Sequence, residues 1–319
     1  MSFPHLEKLH ALTTEQQNLA SQALDTKSAL EIASIINSED AKVAAAVSKA
    51  LPQIAAAIDA VAEALAVGGR LIYVGAGTSG RIAALDAAEC PPTFGTDPKQ
   101  VQYVIAGGEK ALGHAVEANE DSRELGQRDI SKLRPTKKDV VAGIAASGRT
   151  PYTVAAVEYA KKKGARTIGI SCNPDSALAG AADIAITTEV GPEVVSGSTR
   201  MKAGTAQKMV LNMITTGAMS RLGYVYGNLM VNVSVKNQKL VERGITILTK
   251  AVEVDRETAR KALDESGGSV PLALIRLKSA VTRNQAKRML KDSGGNVRRA
   301  IESSRSAKPS VSKSSPRMR

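Results

Sequence analysis

Five short apolar runs alternate with helical patterns through the first two thirds of the chain. They are Arg70–Gly75 (RLIYVG), Val101–Ala106 (VQYVIA), Asp139–Ala146 (DVVAGIAA), Arg166–Cys172 (RTIGISC) and Asp183–Thr188 (DIAITT). Each is apolar almost throughout, not every second residue, as expected of a strand buried on both faces. Helical patterns occupy about 41–67, 80–88, 110–127, 151–163 and 199–221. Strand–helix alternation of this kind makes a parallel sheet between two helical layers. Aromatic residues are only 3 % of the chain, with no Trp, so the core must be built of Ala, Val, Ile and Leu. Gly68-Gly69 and Gly164 stand where helix C-terminal caps belong.

Beyond about residue 250 the pattern is helical only, and it repeats. Ala259, Leu263, Ser266, Gly267, Gly268, Val270 and Ala273 recur 27 positions later as Ala286, Leu290, Ser293, Gly294, Gly295, Val297 and Ala300. Each copy reads as helix, Ser-Gly-Gly turn, helix, and two such hairpins make a small helical domain. The expected organisation is an N-terminal helical segment (1–45), an α/β domain (46–250), the helical domain (251–302) and a disordered basic tail (303–319).

The net charge of +12 suggests an acidic partner. Nine of those charges lie beyond residue 250, five of them in the tail, so the α/β part is close to neutral. Nucleic-acid binding is one reading of the basic end. Stacking aromatics and a recognition helix are not evident, so no specific nucleic acid is expected. Two cysteines and three scattered histidines lack metal-site or disulfide spacing. No apolar run reaches about 18 residues, and the N-terminus lacks a signal-peptide pattern. A cytoplasmic protein with no membrane partner, metal or cofactor is expected.

The first strand runs into Gly75-Ala76-Gly77-Thr78-Ser79-Gly80, formally a dinucleotide fingerprint. The second strand lacks the ribose-binding acid at its end, and the hydroxyls favour a phosphate monoester at a helix N-terminus. Ser147-Gly148-Arg149-Thr150-Pro151 follows the third strand, and a Ser/Thr-rich stretch containing Ser196, Ser198 and Thr199 follows the fifth. Each hydroxyl alone could simply cap a helix. Together they place a sugar-phosphate site at the strand carboxyl ends.

Two acids stand out. Glu89 closes the helix that starts at the first loop, where a carboxylate faces the negative end of the helix dipole, and Pro91-Pro92 stiffens the exit. Glu120 belongs to an acidic helical face with Glu117, Asp121 and Glu124. The residues alone leave both open between solvated surface acids and proton-transfer groups.

The stretches VGAGTSGRIAALDAAECPPTFG, GGEKALGHAVEANEDS, ASGRTPYTVAA and GPEVVSGSTRMKAGTAQKMVLNMITTGAM closely resemble the N-acetylmuramic acid 6-phosphate etherases. Leu12–Asn18 and Asn37–Asp40 are similar to that family's N-terminal segment, and the resemblance spans about residues 6–302. It implies a sugar isomerase (SIS) domain, a three-layer α-β-α sandwich with a five-stranded parallel sheet, followed by a small all-helical domain. It also implies a homodimer and a lyase that removes the D-lactyl ether by elimination and hydration. Carried onto this chain, Glu89 is the proton donor and Glu120 the second acid/base. By analogy with SIS domains, Thr78, Ser79, Ser147, Thr150, Ser196, Ser198 and Thr199 hold the phosphate. Arg149, Arg200 and Lys202 are open between anion neutralisation and salt bridges. SIS domains also occur in regulators, so a non-catalytic sugar-phosphate sensor is the alternative.

Overall fold

The computed structural model describes residues 13–233 and 238–306. Most of the basic tail lies outside the described residues. The chain forms two compact units. The first combines the residues up to Pro91 with Thr96–Ala218, and the second combines Pro92–Gly95 with the chain from Met219 onward.

The first unit begins with α1 (Ala29–Asp40), α2 (Val43–Ser48) and α3 (Leu51–Ala66). Ser28 and Glu31 form a reciprocal capping box that starts α1. Pro52 sits in the first turn of α3, which buries Ile54, Ala57, Val61 and Leu65 at three- and four-residue spacing. The amides of Gly68 and Gly69 close α3 on the carbonyls of Leu65 and Ala64. Then follow β1 (Leu71–Gly75), α4 (Gly77–Phe94), β2 (Val101–Ile105), α5 (Lys110–Gly113), α6 (Arg123–Lys132), β3 (Val140–Ile144), α7 (Pro151–Lys162), β4 (Arg166–Ser171), α8 (Ala177–Ala181), β5 (Ile184–Thr187) and α9 (Lys202–Leu222).

The five strands are parallel in the order β2-β1-β3-β4-β5. Alternate residues of β1 face opposite layers. Ile72 and Val74 pack with Ile130 of α6 and Tyr152, Ala156 and Ala160 of α7. Tyr73 faces the other way and donates its hydroxyl to Asp86 of α4. Ile58 of α3 packs where Gly217 of α9 has no side chain. The result is the three-layer α-β-α sandwich expected from the buried strands. This strand order changes direction between β1 and β3, so their carboxyl ends flank the crevice where open sheets of this kind bind ligands.

The second unit carries the hairpin β6 (Val225–Tyr226) and β7 (Leu229–Met230), then α10 (Gln238–Val252), α11 (Arg256–Glu265), α12 (Val270–Ser279), α13 (Arg283–Asp292) and α14 (Val297–Ser306). The two repeats fold alike. Gly268 N–H donates to Leu263 O at 3.0 Å, and Gly295 N–H to Leu290 O at 2.8 Å. Leu263, Val270, Leu274, Ile275, Ala286, Val297 and Ile301 meet in one core. α14 continues to Ser306, past residue 303 where the sequence predicts the tail to start.

Two local expectations change. The predicted helix over 110–127 is interrupted, because the Ser122 hydroxyl accepts Leu125 N–H at 3.1 Å and starts α6 afresh. Glu120 therefore sits in a turn, not on a helical face. The helix carrying Glu89 does not end there either. It continues through Pro91 and Pro92 to Phe94.

Candidate active site

The loop from β1 into α4 is the centre of the site. Gly77 has φ +52°, a left-handed conformation that favours glycine. A Cβ added there would stand 3.1 Å from Glu120 Oε1, so the Glu120 carboxylate lies against the first turn of α4. Tyr152 N–H donates to Glu120 O at 3.0 Å, tying this turn to the start of α7. Glu120 thus lies beside the β1–β3 crevice, with its backbone fixed by the first turn of α7.

The hydroxyls differ in what they do. Ser79 is buried and donates to Gln207 Oε1 of α9 at 3.0 Å. Gln207 is fully buried, and its Nε2 has no partner among the described residues. Thr78 Cγ2 and Thr199 O both lie within 4 Å of the point where a Cβ on Gly204 would stand. Thr78, Ser79 and Thr199 therefore meet at the top of α4 and α9. Across the crevice, Ser147 Oγ accepts Arg149 N–H at 3.2 Å. Thr150 precedes Pro151 at the start of α7 and makes no capping hydrogen bond with its side chain. Gly148, at φ +67°, lies so close to Ser176 that an added Cβ would stand 2.3 Å from its Oγ. Ser196 donates instead to the carbonyls of Glu15 and Gln16 at 3.2 and 3.4 Å. Ser198 and Thr199 form the turn before α9, with Ser198 N–H on Val195 O and Thr199 N–H on Gly197 O.

That turn is held from below by groups whose structural role the sequence motifs do not reveal. Glu193 is fully buried, and its carboxylate accepts the N–H groups of Lys202 and Ala203, each at 2.9 Å. The α9 N-terminus is therefore occupied by the chain's own acid. Lys202 is 1 % exposed and pairs with Glu39 Oε2 at 2.7 Å, so its charge serves a buried salt bridge. Lys42 and Asn18 also donate to Glu39. Burial pushes the Glu39 carboxyl up, but hydrogen bonds from Lys202, Lys42 and Asn18 outweigh it and hold its pKa at about 2. Asn18 also donates to Pro192 O, Ser21 to Val194 O, and Thr13 to Asn173 Oδ1. The segment from Thr13 to Asp40 is thus a strap across the last hydroxyl-rich loop. The motif at 12–18 was its sequence signal, without indicating a structural role. Arg149 is half-buried and Arg200 exposed.

Glu89 lies elsewhere. It is exposed on α4, twelve residues after Gly77, which at about 1.5 Å per residue is about 18 Å along the helix axis. It shares a cavity of about 230 Å3 with Asp86, Lys208 and Asn212. Beneath it, Asp86 accepts Tyr73 Oη at 2.9 Å, Asn212 Nδ2 at 2.9 Å and Thr215 Oγ1 at 3.2 Å. Burial raises the pKa of Asp86 against these hydrogen bonds and the Lys208 charge. Burial first, and Asp86 second, raise that of Tyr73 well above the usual phenol value. One chain alone therefore gathers Glu120 with the hydroxyl-bearing starts of α4 and α7 and leaves Glu89 apart.

Sequence comparison decides the family. A protein of Pasteurella multocida named N-acetylmuramic acid 6-phosphate etherase is 55 % identical over 269 residues, covering 84 % of this chain and 89 % of its own. One of the same name from Symbiobacterium thermophilum is 56 % identical over 275 residues, covering 86 % and 91 %. This chain belongs to the N-acetylmuramic acid 6-phosphate etherase family. Within this etherase-family chain, residues 53–161 match the glucokinase regulatory protein N-terminal SIS domain, and 123–217 match the SIS domain. Among solved structures, a phosphoheptose isomerase from Francisella tularensis superposes with a TM-score of 0.48 at 19 % identity. It covers 61 % of this chain and 100 % of its own. Among the described residues, no single helix of the etherase-family chain is long and apolar enough to cross a membrane.

Proposed function

We propose that this chain is a carbon–oxygen lyase that converts N-acetylmuramic acid 6-phosphate and water to N-acetylglucosamine 6-phosphate and D-lactate. The observation that carries this reading is the 55 % identity to named etherases over nine-tenths of their length. The phosphate rests on the starts of α4 and α7, where Thr78, Ser147 and Thr150 offer hydroxyls beside backbone N–H groups, while Ser79 is fixed by its hydrogen bond to Gln207 and Thr199 approaches Thr78 from the turn before α9. Ser196 and Ser198 shape the covering loop. The working compartment is the cytoplasm.

The ether at C3 resists direct displacement. In the open-chain aldehyde the C2 proton is acidic, and Glu120 removes it. The C2 electron pair forms the C2–C3 double bond as the C3–O bond breaks, and Glu89 protonates the departing lactate oxygen. Water then adds at C3, helped by Glu89, and C2 regains a proton. No redox cofactor enters this balance.

Acid and base act on adjacent carbons, so their carboxyl groups must approach within several ångströms, about 5–9 Å by comparison with other paired-carboxylate enzymes. An offset of about 18 Å along α4 is too large for a side chain to span. A homodimer resolves this if Glu89 of one protomer enters the crevice of the other. Leu85, 52 % exposed one turn before Glu89, supplies apolar surface for such a contact.

Incubation in 18O-labelled water tests the chemistry: D-lactate should appear, with the label at C3 of the sugar. Absence of lactate, with tight sugar-phosphate binding retained, would instead support the sensor reading. Mixing separately inactive Glu89→Gln and Glu120→Gln chains tests the shared site. Random exchange makes half the dimers mixed, each with one intact site of two, so activity should return to about a quarter of wild type. No recovery despite verified chain exchange would place both acids in one protomer's site.

A further inference from the structure

The cavity beside Glu89 has a chemical character that the elimination itself does not require. It lies between α4 and α9 and has a volume of about 230 Å3, comfortably larger than a three-carbon hydroxy acid. Ile82, Leu85 and Leu211 make part of its wall apolar. Its polar lining is Asp86, Glu89, Asn212 and Lys208. Asp86 already accepts from three hydrogen-bond donors, one of them Asn212, and Lys208 acts on it only through its charge. Lys208 is exposed on α9, and among the described residues it forms no ion pair. The cavity thus joins one available cation, a small apolar wall and the group assigned to protonate the ether oxygen.

We propose that this cavity is the subsite for the lactyl group, with the Lys208 ammonium recognising its carboxylate and the aliphatic wall accepting its methyl group. The assignment rests on the etherase reading, which supplies the lactyl group. A lactyl carboxylate is two bonds from the ether oxygen through the intervening carbon. A cation that binds the carboxylate therefore sets the ether oxygen beside Glu89, and it continues to hold the anion as the C3–O bond breaks. Lys208 selects for sugar phosphates bearing an acidic ether substituent, while the phosphate is held elsewhere, at the starts of α4 and α7.

The test separates these two ends of the substrate. Lys208→Met and Lys208→Gln should raise the KM for N-acetylmuramic acid 6-phosphate about tenfold to a hundredfold, the range expected for a lost hydrogen bond between charged groups. Lys208→Arg should recover most of the loss. The inhibition constant of N-acetylglucosamine 6-phosphate, which carries the phosphate but no lactyl group, should stay within about twofold of wild type by the same reasoning. An unchanged KM in both neutral variants overturns the proposal. So does a parallel weakening of the product, which would assign Lys208 to phosphate binding or to folding. Failure of the wild-type protein to release D-lactate is a different result, because it removes the etherase reading itself.

Discussion

The buried pair of Glu39 and Lys202 gives a sharp quantitative prediction. Both side chains are almost sealed from solvent, at 4 % and 2 % exposure, and their charged atoms are 2.7 Å apart. Replacing Lys202 with Met keeps the volume and leaves Glu39 with Lys42 and Asn18. The Glu39 pKa of about 2, against an ordinary 4.5, is the net of burial, which raises it, and of all its hydrogen-bond partners, which lower it further. At 1.36 kcal/mol for each tenfold change this net lowering is about 3 kcal/mol, within the roughly 3–5 kcal/mol known for breaking buried pairs. With two partners left, Lys202→Met should cost about 2–3 kcal/mol and lower the melting temperature by about 4–12 °C for a unit of this size. The pH dependence follows from a depressed carboxyl. Its stabilisation is complete above about pH 4.5 and is lost as the pH falls towards about 2, because the unfolded chain takes up the proton first. Thermal melts of the variant should therefore show a shallower loss between pH 4.5 and 2. A melting temperature within about 1 °C of wild type, or additive effects of Lys202→Met and Glu39→Gln, would refute the coupling. Because the pair anchors the strap under the Ser196–Thr199 turn, the KM for the sugar phosphate should rise in the same variant.

Two further substitutions probe the supports of the site. Gly148→Ala puts a Cβ 2.3 Å from Ser176 Oγ at φ +67°. It should cost about 1–3 kcal/mol and raise KM more than it lowers kcat, as read from denaturant midpoints and steady-state kinetics. Asp86→Ala leaves Tyr73, Asn212 and Thr215 without their shared acceptor. Thr215 can still donate to Leu211 O and Asn212 is half-buried, so the fully buried Tyr73 hydroxyl carries most of the loss, and the variant should be about 1–3 kcal/mol less stable in urea unfolding.

The sheet was legible because strands buried on both faces have one simple signature. All five predicted runs overlap the strands observed, with ends shifted by at most two residues. The repeated helical hairpins were legible for a similar reason, since Ser-Gly-Gly closes each first helix in the same way. The interruption before α6 was not. Glu117, Glu120, Asp121 and Glu124 have helical spacing, but spacing cannot tell whether Ser122 continues a helix or caps a new one. The strap was hidden for another reason. Glu39 and Lys202 are 163 positions apart, and Asn173 is 160 from Thr13. Each looks like an ordinary surface residue until the fold buries it.

Charge has to be weighed in the same way, by place. A cation near a hydroxyl-rich loop is a natural candidate for phosphate, and Lys202 follows such a loop directly. Its ammonium is instead neutralised by Glu39, while Glu193 fills the helix end beside it. The last loop therefore spends its strongest electrostatic groups on its own rigidity. The phosphate site proposed above is instead a set of oriented dipoles, namely the backbone N–H groups and hydroxyls at the starts of α4 and α7. Dipoles fixed by packing need no reorganisation when the anion arrives, and their geometry selects a tetrahedral oxyanion more strictly than a mobile ammonium can. On the proposed function, selectivity for the phosphate depends on how firmly Gly77, Gly148 and the strap hold three loops in register.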